Sequence, residues 1–154
     1  AGRDNKTEFN AFFYVSSSEW NLYRFITKFT EMHHLPKAVL LLKDIKTSLA
    51  DFFWTGNGDH NHKFEKIKHI LEFYPNLEYV LLGDDSQQDA FLYEAICKIF
   101  PVTVKAVYIR QTGSSQKEKV NAILQNLETL QVSVCYFKHS IEAIEHSKSI
   151  GIIE

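Results

Sequence analysis

The stretch VLLGDDSQQD (80–89) sets three carboxylates, Asp84, Asp85 and Asp89, directly after an apolar run that ends at Gly83. Carboxylates this close repel one another unless a cation is bound or protons are retained. Oxygen ligands are hard, so the cation they suit is Mg²⁺ rather than a softer metal. The alternative is a solubilising loop in which Asp89 is an ordinary acid near a helix start.

Two further groups of residues would complete a phosphate site. Ser16, Ser17 and Ser18 follow the apolar run FFYV and precede a helical pattern. Hydroxyls and backbone N–H groups at a helix N-terminus form an anion site, although Ser18 alone reads first as a helix cap. Lys63 is expected to open the helix HKFEKIKHIL, where a cation faces the positive end of the helix dipole. That placement costs about 0.3–1 kcal/mol at an exposed position, and an anion nearby would reverse its sign. Otherwise Lys63, Lys66 and Lys68 form a solvated basic face that Glu65 and Glu72 partly offset. Hydroxyl donors, a lysine and a carboxylate-held Mg²⁺ are together what a phosphoryl group requires. A zinc reading of Asp59, His60 and His62 lacks a further close His or Cys to complete a tetrahedral set. Solvated histidines in a long polar connection over 45–62 are the simpler expectation.

The elements that must position these residues are short apolar runs alternating with helical patterns. The runs FFYVS (12–16), AVLLL (38–42), YVLLG (79–83), VKAVYIR (104–110) and VSVCYF (132–137) are mostly continuous, as strands buried on both faces are. Between and after them, spacings of three and four predict helices over 19–33, 63–74, 88–100, 116–130 and 140–148. In the first of these, Trp20 begins an apolar stripe expected to face the core. Ser115 and Glu118 have capping-box spacing. Pro36, Pro75 and Pro101 each stand just past a helical pattern. Strands alternating with helices imply a doubly wound, mainly parallel, Rossmann-like α/β sheet over 1–154. Ligands bind such sheets outside the carboxyl ends of the strands, where the serines and the acids stand.

Composition narrows the function classes. The 154 residues suit one domain, and 45% of them are hydrophobic. A net charge of −2 argues against a nucleic-acid partner. No apolar run reaches the roughly 18 residues of a membrane-spanning helix. Cys97 and Cys135 read as buried thiols rather than a disulfide framework, so a cytoplasmic protein is expected. The sequence begins with Ala1 and its single methionine is Met32, as in a piece of a longer protein.

Residues 11–110 resemble the catalytic domain of the actin-patch-associated phosphatidate phosphatase family, within the haloacid dehalogenase (HAD) superfamily. The blocks that carry the likeness, in order, are FFYVSSSEWNLYRF, LPKAVLLLKD, HKFEKIKHILEFYPNLEYVLLGDDSQQDAFLYEAICKIFP and VKAVYIR. The resemblance implies a Mg²⁺-dependent phosphomonoesterase acting on phosphatidate at a membrane surface through a phospho-aspartyl intermediate. It implies that Ser16 binds phosphate, that Lys63 stabilises phosphoryl charge, and that Asp84 and Asp89 hold Mg²⁺. Asp85 stands where the family often has a small residue, beside the metal or as a ligand.

The family's first motif, an apolar strand ending in DxDxT, has no counterpart here. Asp4 and Thr7 lack an intervening acid and a preceding apolar run, and Asp44 is followed by Lys46 where the second Asp should stand. The sheet is therefore expected to lack its central first strand, and the chain its nucleophile. An upstream segment of the same protein is expected to supply both, leaving this chain alone inactive. The competing functions are a non-catalytic phosphate- or lipid-headgroup-binding module and an interaction scaffold.

Overall fold

A computed structural model of the chain describes residues 10–43, 58–113 and 116–154, with 58–61 described by backbone alone. Asp4, Thr7, Asp44, residues 45–57, Ser115 and the side chains of Asp59 and His60 lie outside the described residues. The chain divides into two compact units, Ala1–Ile67 and Lys68–Glu154.

In the first unit, β1 (Phe13–Glu19) pairs in parallel with β2 (Val39–Lys43), with Phe13 opposite Val39 and Val15 opposite Leu41. A 3₁₀ turn (Trp20–Leu22) and helix α1 (Tyr23–Met32) form the connection between them. The Tyr14 hydroxyl donates to the Pro36 carbonyl at 3.0 Å, fixing the entry to β2. Helix α2 (Gly58–Phe73) begins in this unit. Its Lys66 ammonium donates to the carbonyl of Leu42, a fully buried residue of β2.

The second unit is a parallel sheet in the order β3–β4–β5, formed by Tyr79–Asp84, Val104–Arg110 and Ser133–Phe137. Helices α3 (Asp89–Ile99), α4 (Lys117–Thr129) and α5 (Ser140–Ser149) follow the three strands in turn. The middle strand β4 is covered on both faces, because the alternating neighbours Ala106, Val107, Tyr108 and Ile109 are all buried. The Tyr108 hydroxyl hydrogen-bonds with Ser147 Oγ at 2.7 Å and with His146 Nδ1 at 3.0 Å, tying α5 to one face. Leu92, Ile96, Ile123 and Leu127 join α3 and α4 to the core. Cys97 is buried in α3 and Cys135 half-buried in β5, both as free thiols. Among the described residues no helix is long and apolar enough to cross a membrane.

The α/β class and the parallel strands agree with the sequence reading; the described strands form two sheets, β1–β2 and β3–β4–β5, where the sequence reading had one sheet without its central strand. An apolar run identifies a strand without identifying its hydrogen-bonded neighbour, and here only strands consecutive in sequence pair. The apolar stripe expected on 19–33 is also corrected. No residue of α1 is buried, and Trp20 is 41% exposed, stacked on Tyr23 at 5.6 Å. Period alone marks an amphipathic helix; burial requires a second surface.

Candidate functional site

Parallel pairing brings the carboxyl ends of β3, β4 and β5 to one edge of the second unit. Asp84 closes β3 directly opposite Arg110 at the end of β4. Asp84 Oδ1 accepts the Ser86 backbone N–H at 2.8 Å and the Ser86 hydroxyl at 2.5 Å, a local turn that leaves Oδ2 out of both bonds. Asp89, the first residue of α3, directs Oδ2 back to the Asp84 backbone N–H at 3.4 Å. An acid in the first turn of a helix is stabilised by the dipole there.

Gly83 permits this approach. A Cβ at that position would lie 2.7 Å from Asp89 Cβ and 2.8 Å from its Oδ2. The Tyr93 hydroxyl, one turn along α3, donates to the Leu82 carbonyl at 2.7 Å and closes the same corner from below. Burial, then the charges of Asp89 and Asp84, push that hydroxyl far above the usual tyrosine range. The two acids thus share one small patch around Tyr93.

Asp85 occupies different surroundings. It is 2% exposed, and its carboxylate is filled by protein donors. Oδ1 accepts the Thr112 backbone N–H at 2.8 Å and the Thr112 hydroxyl at 2.5 Å. Oδ2 accepts the Tyr136 hydroxyl at 2.7 Å. Burial opposes ionisation, but the bonds from Thr112 and Tyr136 outweigh it and hold the carboxyl below its usual range. The Tyr136 hydroxyl is pushed up to about 12 by burial, then by its bond to Asp85 and that carboxylate's charge. Gln111 stitches the same edge together. Its backbone N–H donates to the Phe137 carbonyl at 2.7 Å and its side-chain amide to the Tyr136 carbonyl at 3.1 Å.

In the first unit, Ser16, Ser17 and Ser18 are half-buried within β1, which runs three residues further than the sequence suggests. The strand slips register against β2 across these serines. Ser18 therefore does not cap a helix: Glu19 precedes the 3₁₀ turn and Leu22 precedes α1. Instead the Ser18 N–H donates to Ser16 Oγ at 3.1 Å, a bond that does not use the Ser16 hydroxyl proton. His62 Nε2 donates to the Ser16 carbonyl at 3.2 Å. Lys63 is buried, and it does not open a helix. Because α2 begins at Gly58, Lys63 sits in its second turn, where the dipole argument for an anion no longer applies.

Each unit thus carries part of the expected set. Asp84 and Asp89 come together, Asp85 turns to protein donors, and Ser16 comes to His62 rather than to a helix end. Sequence reasoning missed Thr112, Tyr136, Tyr93 and His62 as partners of these residues. Thr112 had a signal, since it stands two places after β4 at the strand-end positions where ligands bind. Tyr136 lies inside an apolar run and had none.

Among the described residues no three His, Cys, Asp or Glu side chains are grouped to hold a metal ion. The carboxylates of Asp84 and Asp89 are hard oxygen donors, the ligand type that Mg²⁺ takes in small number while keeping several waters.

A family model described as the catalytic domain of phosphatidate phosphatase APP1 matches residues 3–111. Phosphatidate phosphatase APP1 of Saccharomyces cerevisiae is 26% identical over 107 residues, covering 70% of this chain and 18% of that protein. The chain therefore spans less than a fifth of the length of this curated relative. No solved structure matches the chain.

Proposed function

The chain belongs to the phosphatidate phosphatase APP1 catalytic-domain family, and on that premise we propose that it is the larger part of a Mg²⁺-dependent phosphomonoesterase of HAD type. Its substrate is phosphatidate or a closely related phosphomonoester. The observation that carries this reading is the span of the family match, residues 3–111, which encloses the serine strand, Lys63 and the acid loop together.

In this reading Asp84 and Asp89 hold Mg²⁺, which when bound offsets the negative charge of the phosphoryl group. Ser16 donates its hydroxyl proton to a phosphate oxygen, with Ser17 and Ser18 beside it in the same strand. The Lys63 ammonium balances phosphoryl charge from the second turn of α2. His62 holds the Ser16 backbone. Asp85 stands beside the cation as an anchor. The attacking aspartate and the general acid of a DxDxT motif come from outside the described residues.

Phosphate release from phosphatidate in mixed micelles, with and without EDTA, tests the proposal. The complete protein is expected to turn over only with Mg²⁺, and the 154-residue chain alone not at all. EDTA-sensitive turnover by the isolated chain would overturn the inactivity. Full activity of the complete protein after Asp84→Asn would overturn the metal assignment. A second reading is binding of phosphate headgroups without turnover, and a complete protein without a DxDxT run upstream of this sequence would favour it. Saturable binding with no turnover by the complete protein would establish it.

A further inference from the structure

We infer that Asp85 is a positioning residue, whose buried carboxylate clamps the acid loop to Thr112 and Tyr136 and thereby fixes Asp84 and Asp89. The inference rests on the Mg²⁺ reading for its consequence and on the structure for its geometry. Of the acids in GDDSQQD, Asp85 is the buried one, at 2% exposed. All three donors that reach it come from other strand ends. Thr112 is 27 residues away in sequence and Tyr136 is 51. The Asp85 backbone N–H also donates to the Arg110 carbonyl at 3.1 Å, so main chain and side chain are both fastened to the end of β4.

A carboxylate that already accepts three hydrogen bonds would have to abandon them, in a buried position, to become a cation ligand. Turning outward would break all three together, two from Thr112 and one from Tyr136. The loop it holds is short. Asp84 precedes it, Ser86 follows it and turns back onto Asp84 Oδ1, and Asp89 begins α3. Any rotation of the Asp85 backbone would therefore re-aim the Asp84 carboxylate. Groups placed behind the ligands of a cation commonly act this way, and losing one typically lowers affinity about 10–100-fold.

Amide hydrogen exchange at Ser86 and Thr112, together with calorimetric Mg²⁺ titration of the 154-residue chain, provides the test. Tyr136→Phe and Thr112→Val keep the fold's apolar contacts and remove one bond each. Both are expected to speed exchange at the two amides and to weaken Mg²⁺ binding about 10–100-fold. Thr112→Ser, which keeps the hydroxyl, is expected to restore both. Asp85→Asn is expected to behave like Tyr136→Phe, with binding weakened and exchange faster. If Asp85→Asn abolishes Mg²⁺ binding while exchange stays unchanged in every variant, Asp85 is a ligand and the inference is overturned. If the unsubstituted chain shows no response to Mg²⁺, the metal reading of Asp84 and Asp89 falls instead. The exchange rates then decide the clamp alone: unchanged rates in Tyr136→Phe overturn it and faster rates sustain it.

Discussion

The sheet of β3, β4 and β5 and the sheet of β1 and β2 are built from similar apolar runs, yet they bury them to different depths. In the second unit VKAVYIR is buried at five of its seven positions. In the first, VLLLK buries Leu42 alone and FYVSSSE buries nothing fully. Helix α1 buries no residue, and Phe25 and Met32 are 68% and 69% exposed. The difference follows from strand count. Among the described residues β1 and β2 pair only with each other, and an isolated pair of strands is marginal by itself. A third strand creates an interior one, β4, and the hydrophobic effect then acts on both of its faces. Of the proposed site residues, Ser16 and Lys63 belong to the shallow unit and the acids to the deep one.

This contrast can be broken by substitution. Ile109→Ala empties a fully buried position in β4 and is expected to cost about 2–5 kcal/mol of stability in urea denaturation. A loss under about 1 kcal/mol would mean that the second unit is not the stable one. Gly83→Ala drives a methyl group into Asp89, a contact of 2.7 Å. It is expected to cost about 1–3 kcal/mol and to displace the Asp89 resonances in an NMR spectrum. If these resonances do not move, the close approach of α3 to β3 is wrong.

A pH experiment sharpens the contrast within the second unit. Tyr136 is raised in the folded chain from an ordinary 10.0 to about 12. Its protonated form is the favoured one when folded, so its contribution is complete below pH 10 and is lost as pH rises from 10 towards about 12. Denaturation midpoints measured over that range should fall more steeply for the natural chain than for Tyr136→Phe. Parallel curves would dissociate Tyr136 from Asp85. The smallest effect is expected from Phe25→Ser on the open face of α1, within about 0.5 kcal/mol of zero. A cost matching that of Ile109→Ala would show that α1 is buried and would erase the contrast.

Much of the fold was legible in the sequence. The run VKAVYIR marks β4 to the residue, and the pattern over 88–100 places α3 (Asp89–Ile99) within one residue at each end. Local periodicity decides such elements. What decides the sheets does not lie in local periodicity; the expectation of a sheet without its central strand came from the family resemblance. The start of α2 was missed because Gly58–His62 is polar and carries no apolar stripe. That omission misplaced Lys63 at a helix end. The acid loop was visible as three carboxylates of equal standing. Which of them turns inward is set by Thr112 and Tyr136, far along the chain, and no spacing within GDDSQQD encodes it.

Cys97 gives this architecture a clock. The residue is 1% exposed on α3, and burial, then the charge of Glu94, push its thiol up to about 11. Thiol reagents attack the thiolate, so in the closed unit this sulfur has neither access nor the reactive form. Alkylation must wait for the helix to lift from the sheet. With Cys135→Ser removing the half-buried second thiol, the rate of modification at Cys97 reports the opening of the second unit by itself. One reagent and one stopwatch thus time the deep unit.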